Sequence, residues 1–190
     1  MHPGPEVPRI FLSVGYLKSP EHRAQGVKPG ALTPESQMPD SSSSSHPPKS
    51  CNFDAQKLIL KLSVTLAADR KAVDPVVRSV MNIVRETKCA SGREDDIELA
   101  LSEALANAVV HGAGSDPTKI IECDVACDEE RGMLIVVRDP GPGFDPASLV
   151  NPCVGENIYS NHGRGIYLIN QLMDEVRFDK NGTEIRMIKR

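Results

Sequence analysis

The first hydrophobic patterns of the chain predict a strand followed by a helix. From Leu58 to Leu66 every second residue is leucine or valine, and this period of two is typical of a strand with one buried face. From Val76 to Val84 hydrophobic residues recur at helical spacing. The preceding Asp74–Pro75 pair offers an N-cap and a first helical residue with a preset φ, so the helix is predicted to begin there.

A second helix follows, and then strands and a third helix. Ser91 and Glu94 have the spacing of a capping box, and the helix that they begin is expected to end at Gly112. In residues 121–127 every second side chain is hydrophobic, which predicts a strand with one buried face. Residues 133–137 are all hydrophobic, which predicts a central strand that is covered on both faces. Helical spacing returns over 163–173, before a closing hairpin with an Asn-Gly turn.

This order of elements predicts an α+β fold. Strand, helix, helix, strand, strand, loop, helix, strand and strand fit a two-layer α/β sandwich. We expect a mostly antiparallel, five-stranded mixed sheet with about three helices on one face. The loop between Phe144 and His162 is longer than most connections, which indicates a lid or a binding loop.

The N-terminal segment has a different composition. Residues 1–52 hold most of the prolines, the run Ser41–Ser45 and few large apolar residues, so they bury too little surface to offset the entropy of ordering. We therefore predict a disordered tail over 1–52 and one ordered domain over 53–190.

Charge and composition exclude several classes of partner. The formal charge is -4, tryptophan is absent and aromatic residues make up 4%, which argues against direct nucleic-acid binding. No apolar run reaches the ~20 residues that span a bilayer, and no secretory signal is evident. The expected location is the cytoplasm. Cys123 and Cys127 are too far apart along a strand to pair with each other, so these two are interpreted as small buried thiols in a reducing compartment.

The second helix carries a polar stripe. Glu103, Asn107 and His111 recur every fourth residue, which places them on one helix face beside a hydrophobic one. A carboxylate, an amide and an imidazole in a row are compatible with a pocket wall. On spacing alone the stripe is equally compatible with a solvated helix edge.

Two glycine-rich segments follow the stripe. Asp139 begins D-P-G-P-G-F after a strand, where Gly141 and Gly143 let the backbone approach a flat ligand. H-G-R-G-I, residues 162–166, opens a helix whose N-terminus favours an anion. Each segment alone is also compatible with an ordinary turn.

Together the three segments resemble the N, G1 and G2 boxes of the GHKL (histidine kinase-like) ATPase superfamily. S-E-A-L-A-N-A-V-V-H-G, R-D-P-G-P-G-F-D and G-R-G-I-Y-L-I are similar to those of bacterial anti-sigma-factor serine kinases. The resemblance covers about residues 55–190 and implies ATP and Mg²⁺ as cofactors. It implies that Glu103 is the general base and that Asn107 coordinates Mg²⁺, whereas His111 receives no catalytic role.

The resemblance also assigns the remaining nucleotide contacts. Asp139 matches the acid that accepts a hydrogen bond from the adenine amino group, with Gly141 and Gly143 beside it. The phosphate-binding turn and a hydroxyl near the adenine correspond to Gly163, Arg164, Gly165 and Thr183. The segment between Phe144 and His162 has no lysine or arginine, so the charge of the γ-phosphate is expected to be balanced mainly by Mg²⁺, Arg164 and backbone donors.

The resemblance implies a serine/threonine protein kinase that phosphorylates an anti-anti-sigma (STAS-type) protein and sequesters a sigma factor. Relatives tend to dimerise, so a homodimer is expected. Two alternatives remain at this stage: an ATP-binding regulatory module, and a histidine-kinase-like catalytic domain without serine kinase activity. The second lacks a helical pair that would carry a phosphoacceptor histidine before residue 55.

Overall fold

The computed structural model describes residues 10–16, 58–128, 130–145 and 164–190. The described elements are β1 (Ile10–Tyr16), β2 (Leu58–Ala67), α1 (Arg70–Thr87), α2 (Glu94–Asn107), β3 (Ile120–Asp128), β4 (Gly132–Arg138), α3 (Arg164–Leu172), β5 (Glu175–Asp179) and β6 (Glu184–Lys189). A π-helical turn, Ala108–Gly112, continues α2, and a 3-10 turn, Lys180–Gly182, joins β5 to β6.

The six strands form one sheet in the order β1-β2-β3-β4-β6-β5, and every neighbouring pair is antiparallel. Residues of α1, α2 and α3 share one hydrophobic core with the inward-facing residues of the sheet. The α+β two-layer sandwich is therefore confirmed, and the five predicted strands are β2 to β6. The described sheet is antiparallel throughout rather than mixed, and it has one strand more than predicted.

The alternation of β2 orients the sheet toward the helices. Leu60, Leu62 and Val64 are buried, whereas Lys61 between them is exposed. In β4 the buried set is wider, because Val136 is buried as well as Ile135. This matches the continuous hydrophobic run of β4, which pairs with β3 on one side and with β6 on the other.

Helix α1 begins earlier than predicted. Its N-cap is Asp69, whose carboxylate accepts a hydrogen bond from the Lys71 N–H at 3.0 Å, and Pro75 lies inside the helix. The extra turn buries Ala72 and Val73 in the core. Burial of these two side chains favours the earlier start over the local preference for a cap at Asp74.

The capping box predicted for α2 is absent from the described helix start. Arg93 is the N-cap residue and makes no side-chain cap. The Ser91 hydroxyl donates to Lys88 O, and Glu94 Oε2 accepts from the Gly92 N–H at 2.8 Å. Glu94 still places a negative charge in the first turn, where the helix dipole favours it.

The prediction of disorder is wrong for part of the N-terminal segment. Residues 10–16 form β1, which pairs with β2 from Ile10 opposite Leu66 to Tyr16 opposite Leu60. A strand at the free edge of β2 satisfies backbone groups that would otherwise remain unpaired. The remainder of 1–52 lies outside the described residues.

The interpretation of Cys127 as a reduced thiol is also wrong. Cys89, just after α1, forms a disulfide with Cys127 of β3, and their Cα atoms are 6.2 Å apart. Cys123 remains a free, buried thiol, and burial raises its pKa to about 12. The spacing argument considered only Cys123 and Cys127, which are not paired with each other. Proximity of Cys89 to Cys127 depends on how α1 packs on the sheet.

Candidate nucleotide site

The polar stripe of α2 lies at the edge of the core. Glu103 and Asn107 are half-buried, and His111 is exposed in the π-helical turn. Ala104 and Ala108, which neighbour them along the helix, are buried. The small alanine side chains let other elements approach the helix closely, so the polar stripe can line a pocket between α2 and those elements.

The N-terminus of α3 contacts the stripe at Glu103 and Asn107. A Cβ built on Gly165 would lie 2.7 Å from Glu103 Oε2 and 3.0 Å from Asn107 Nδ2. Arg164, the first residue of α3, is exposed. A helix N-terminus with an arginine beside it is suited to phosphate oxygens. The structure thus brings the carboxylate, the amide and this anion-favouring end together.

The end of β4 meets the other end of the stripe. Asp139 donates its backbone N–H to Thr183 O at 3.0 Å, which ties the end of β4 to the start of β6. Its carboxylate accepts a hydrogen bond from the Gly141 N–H at 2.8 Å through Oδ1. A Cβ built on Gly141 would lie only 2.7 Å from that oxygen, so a side chain at Gly141 would displace the carboxylate.

The environment of Asp139 raises the pKa of its carboxyl. Burial is the larger effect and raises the pKa, while the Gly141 hydrogen bond opposes it. Within the described ranges Oδ1 is occupied by Gly141, and Oδ2 accepts no hydrogen bond from the protein. A carboxylate partly removed from water gains from an N–H donor on a ligand, such as an exocyclic amine.

Gly143 and Thr183 lie next to each other beyond Asp139. Gly143 has a φ of +75° and approaches the backbone of Asn181 closely, and its Cβ would lie 3.2 Å from Thr183 Cγ2. The Thr183 hydroxyl donates to Lys180 O at 2.9 Å. Because this bond uses the hydroxyl proton, Thr183 is available to a ligand as an acceptor and not as a donor.

A charge cluster holds the β4 and β6 ends that carry Asp139 and Thr183. Arg138 contacts Glu184 at 2.7 Å and Asp124 at 2.6 Å, while Lys180 and Arg186 contact Glu184 at 2.9 and 2.8 Å. The Glu184 side chain is only 1% exposed. Burial alone raises the pKa of Glu184, but hydrogen bonds from the three cations hold it at about 2.

The residues at the α3 end fit a magnesium ion held mainly by a nucleotide. The Asn107 side chain supplies an amide oxygen, a type of donor that Mg²⁺ prefers, and the proposed base Glu103 lies beside it. Across the described ranges there is no group of three or more His, Cys, Asp or Glu side chains that would hold a metal without further ligands. The chemistry of this donor set leaves most coordination positions to phosphate oxygens and water.

The residues predicted from the sequence therefore fall into two groups, one at each end of the polar stripe of α2. Glu103 and Asn107 lie with Gly165 and the start of α3, and Asp139 lies with Gly141 beside Thr183 and Gly143. Gly163, predicted in the phosphate turn, lies outside the described residues, as does most of the loop after Phe144.

Two contributors were missed by the sequence reasoning. Glu184 is one, and its position directly after Thr183 in a strand that begins with a charge was the available signal. Gly112 is the other, because it lies against the Asp139 carboxylate. It was interpreted only as a helix end, and nothing in the local sequence indicates what it contacts.

The chain is similar to one family of known proteins. Residues 66–189 match the family described as histidine kinase-like ATPase domain. The chain is 32% identical over 102 residues to the anti-sigma F factor of Clostridium novyi (strain NT), covering 50% of this chain and 69% of that protein.

Several relatives carry a kinase name. The chain is 34% identical to the serine-protein kinase RsbW of Bacillus licheniformis, covering 50% of this chain and 63% of the relative. It is 38% identical to the serine-protein kinase RsbW of Staphylococcus epidermidis, and the match covers 53% of this chain and 69% of that relative.

None of the helices in the described ranges combines the length and hydrophobicity that a bilayer crossing requires.

Proposed function

Because the chain belongs to the histidine kinase-like ATPase family, we propose that it is an ATP- and Mg²⁺-dependent protein serine/threonine kinase. We further propose that it acts as an anti-sigma factor, which phosphorylates a serine of an anti-anti-sigma (STAS-type) protein and sequesters a sigma factor. The observation that carries the proposal is the packing of Gly165 against Glu103 and Asn107, which joins a carboxylate to an anion-favouring helix end.

The adenine of the nucleotide is assigned to the Asp139 end of the polar stripe. The Asp139 carboxylate accepts a hydrogen bond from the adenine amino group, through the oxygen that Gly141 does not occupy. Gly143 and Thr183 lie beside the ring, where a glycine backbone permits close contact with a flat group. These contacts fix the orientation of the nucleotide along α2.

The phosphates are assigned to the α3 end. The Arg164 guanidinium and the backbone N–H groups at the start of α3, with Gly163 and Gly165, stabilise phosphate charge. The Asn107 amide oxygen is the proposed magnesium ligand. When bound, Mg²⁺ would supply positive charge that neutralises the phosphate oxygens.

Glu103 is the proposed general base. Its carboxylate takes the proton of the substrate serine hydroxyl as the serine oxygen bonds to the γ-phosphorus. The bond between that phosphorus and the β–γ bridging oxygen breaks, and ADP leaves. The half-burial of Glu103 and its contact with Gly165, at the start of α3, support this assignment.

Phosphotransfer tests the proposal directly. Wild type, Glu103→Gln and Glu98→Gln are incubated with γ-labelled ATP, Mg²⁺ and a candidate STAS-type protein. We expect serine phosphorylation by wild type, and a loss of roughly 10² to 10⁴ in rate for Glu103→Gln with nucleotide binding retained. Glu98 lies on the same helix and pairs with Arg85, so Glu98→Gln is the matched control with unchanged rate.

The same experiment separates the alternatives. ATP binding without transfer to any candidate would favour an ATP-binding regulatory module, and an acid-labile phosphohistidine would favour a histidine-kinase-like activity. We also propose that the chain forms a homodimer, and sedimentation of the chain with and without a sigma factor tests both sequestration and the dimer. A cytoplasmic location is part of the proposal, because sigma factors act in transcription there.

A further inference from the structure

Gly112 ends the π-helical turn that continues α2. The Ala113 N–H donates to Ala108 O at 2.8 Å, five residues back, so the last turn is wider than an α-helical turn. Such turns alter the direction in which the following residues leave the helix. Here the wide turn places Gly112 against the loop that follows β4.

The space beside Gly112 is filled by Asp139. A Cβ built on Gly112 would overlap the Asp139 carboxylate and would lie 2.6 Å from the Asp139 Cβ. The contact continues to Gly141, where a Cβ would overlap the carbonyl oxygen of Gly112. Gly112, Asp139 and Gly141 therefore pack together with no room for one additional methyl group.

Residue 112 must be glycine because a side chain would clash with Asp139, and not because the backbone adopts a conformation that only glycine allows. The glycines with a left-handed φ include Gly114 and Gly143, at +70° and +75°, but not Gly112. An alanine could adopt the backbone of Gly112 without strain. The constraint on residue 112 is therefore its contact with the Asp139 carboxylate.

We propose that Gly112 is a positioning residue that sets the Asp139 carboxylate and so determines the preference for a base with an exocyclic amino group. The proposal rests on the proposed function, in which Asp139 binds that amino group. A side chain at Gly112 displaces the carboxylate and breaks its 2.8 Å hydrogen bond with Gly141. Contacts at the phosphate end, about Glu103 and Asn107, are left in place.

The test compares two nucleotides that differ only in the amino group. Dissociation constants for ATP and for purine riboside triphosphate, which lacks the 6-amino group, are measured for wild type, Gly112→Ala and Gly114→Ala. One hydrogen bond to a charged group corresponds to a preference for ATP of about tenfold or more. We expect this preference in wild type and its loss in Gly112→Ala, with binding of the purine analogue little changed.

Gly114→Ala is the matched control. No atom lies within 4 Å of a Cβ built on Gly114, so its methyl group enters open space. Its left-handed φ makes the substitution unfavourable for folding, but the preference for ATP should remain. Equal losses for both nucleotides in Gly112→Ala would mean a merely structural role and would overturn the proposal.

A second measurement covers the case in which Gly112→Ala folds poorly. In the Asp139→Gly background the atoms that clash are absent, so adding Gly112→Ala should change the thermal midpoint far less than it does in wild type. An equal change in both backgrounds would overturn the proposal. If wild type binds neither nucleotide, the proposed function itself fails. If wild type prefers ATP and Gly112→Ala keeps that preference, only the role of Gly112 fails.

Discussion

Gly165 at the start of α3 packs directly on the carboxylate of Glu103 in α2, where a Cβ would lie 2.7 Å from Oε2. The contact fixes the distance between the proposed base and the helix end assigned to the phosphates. A glycine is required here by the close approach of the two helices. The distance between Glu103 and the start of α3 therefore depends on the absence of a side chain at Gly165.

Gly165→Ala should disturb this end of the site. The added methyl group must displace either Glu103 or α3, which we expect to cost about 1–3 kcal/mol of stability and at least tenfold in phosphotransfer. Gly92→Ala is the control, because Gly92 has a φ of +83° but open space around its Cβ position. It should lose stability without losing the activity of the folded protein. Equal activity of the two variants would contradict the assignment.

The affinity for ATP should depend on pH through Asp139. The proposed adenine hydrogen bond is stronger when the carboxylate is ionised than when it is neutral, and burial raises the pKa of this carboxyl. Affinity should therefore fall on acidification at a higher pH than an ordinary aspartate, with its pKa of about 3.9, would cause. Calorimetric titrations between neutral and acidic pH measure this fall. Asp139→Asn should bind ATP weakly and show a flatter profile.

The raised pKa also predicts the stability of that variant. A carboxyl whose pKa is higher in the folded state contributes stability below its unfolded pKa, and that contribution is lost as the pH rises through the folded pKa. At neutral pH, Asp139→Asn without nucleotide should thus be at least as stable as wild type. Its amide oxygen can still accept the Gly141 hydrogen bond, so a large decrease in the thermal midpoint would contradict this account.

Glu184 should contribute to stability at neutral pH and lose that contribution in acid. Its pKa in the folded protein is about 2, against an ordinary value of 4.5, so its contribution is complete above 4.5 and disappears as the pH falls toward 2. The difference corresponds to roughly 3 kcal/mol. Urea unfolding of wild type and Glu184→Gln should differ at pH 7 and converge near pH 2.

Glu122→Gln is the control for Glu184→Gln. Its carboxylate lies 3.9 Å from Arg138 and its side chain is 60% exposed, so its removal should change the free energy of unfolding by less than ~1 kcal/mol. If both variants behave alike, the charge cluster does not hold the ends of β4 and β6 as described.

Reduction of the Cys89–Cys127 disulfide should destabilise the domain. The bond closes a loop with a sequence separation of 38, and the loop-entropy model gives about 4 kcal/mol for such a loop. Urea unfolding with and without dithiothreitol measures the change. The Cys89→Ala/Cys127→Ala double variant should be insensitive to the reductant. An equal response of both proteins would exclude the disulfide as the cause.

Much of the fold and of the site could be predicted from periodicity and motif order. The alternation of β2 records which of its faces is buried, and Glu103 and Asn107 share a face because they are four residues apart on a helix. Gly141 and Gly143 were predicted to let the backbone approach a flat ligand, and Gly165 to lie in a phosphate-binding turn. In the structure each of them is in close contact with a neighbouring protein element, and the ligand contacts stay predictions.

The features that were missed depend on contacts that are distant in sequence. Nothing near Cys89 indicates that α1 ends beside Cys127, and nothing near Gly112 indicates the Asp139 carboxylate. The start of α1 was misplaced because a local cap at Asp74 competes with burial of Ala72 and Val73, and burial prevails. The local sequence indicates the conformational preference of a segment, whereas the disulfide, the Gly112 contact and the start of α1 depend on how distant segments pack together.

Calorimetric titration of MgATP into wild type, Asp139→Asn and Glu103→Gln tests the central assignment most directly. We predict that wild type and Glu103→Gln bind with affinities within about threefold of each other, since the base acts on the hydroxyl of the substrate protein. Asp139→Asn should bind about tenfold or more weakly, because it loses a hydrogen bond to a charged group. Absence of binding by wild type, or equal binding by Asp139→Asn, would contradict a nucleotide site along α2.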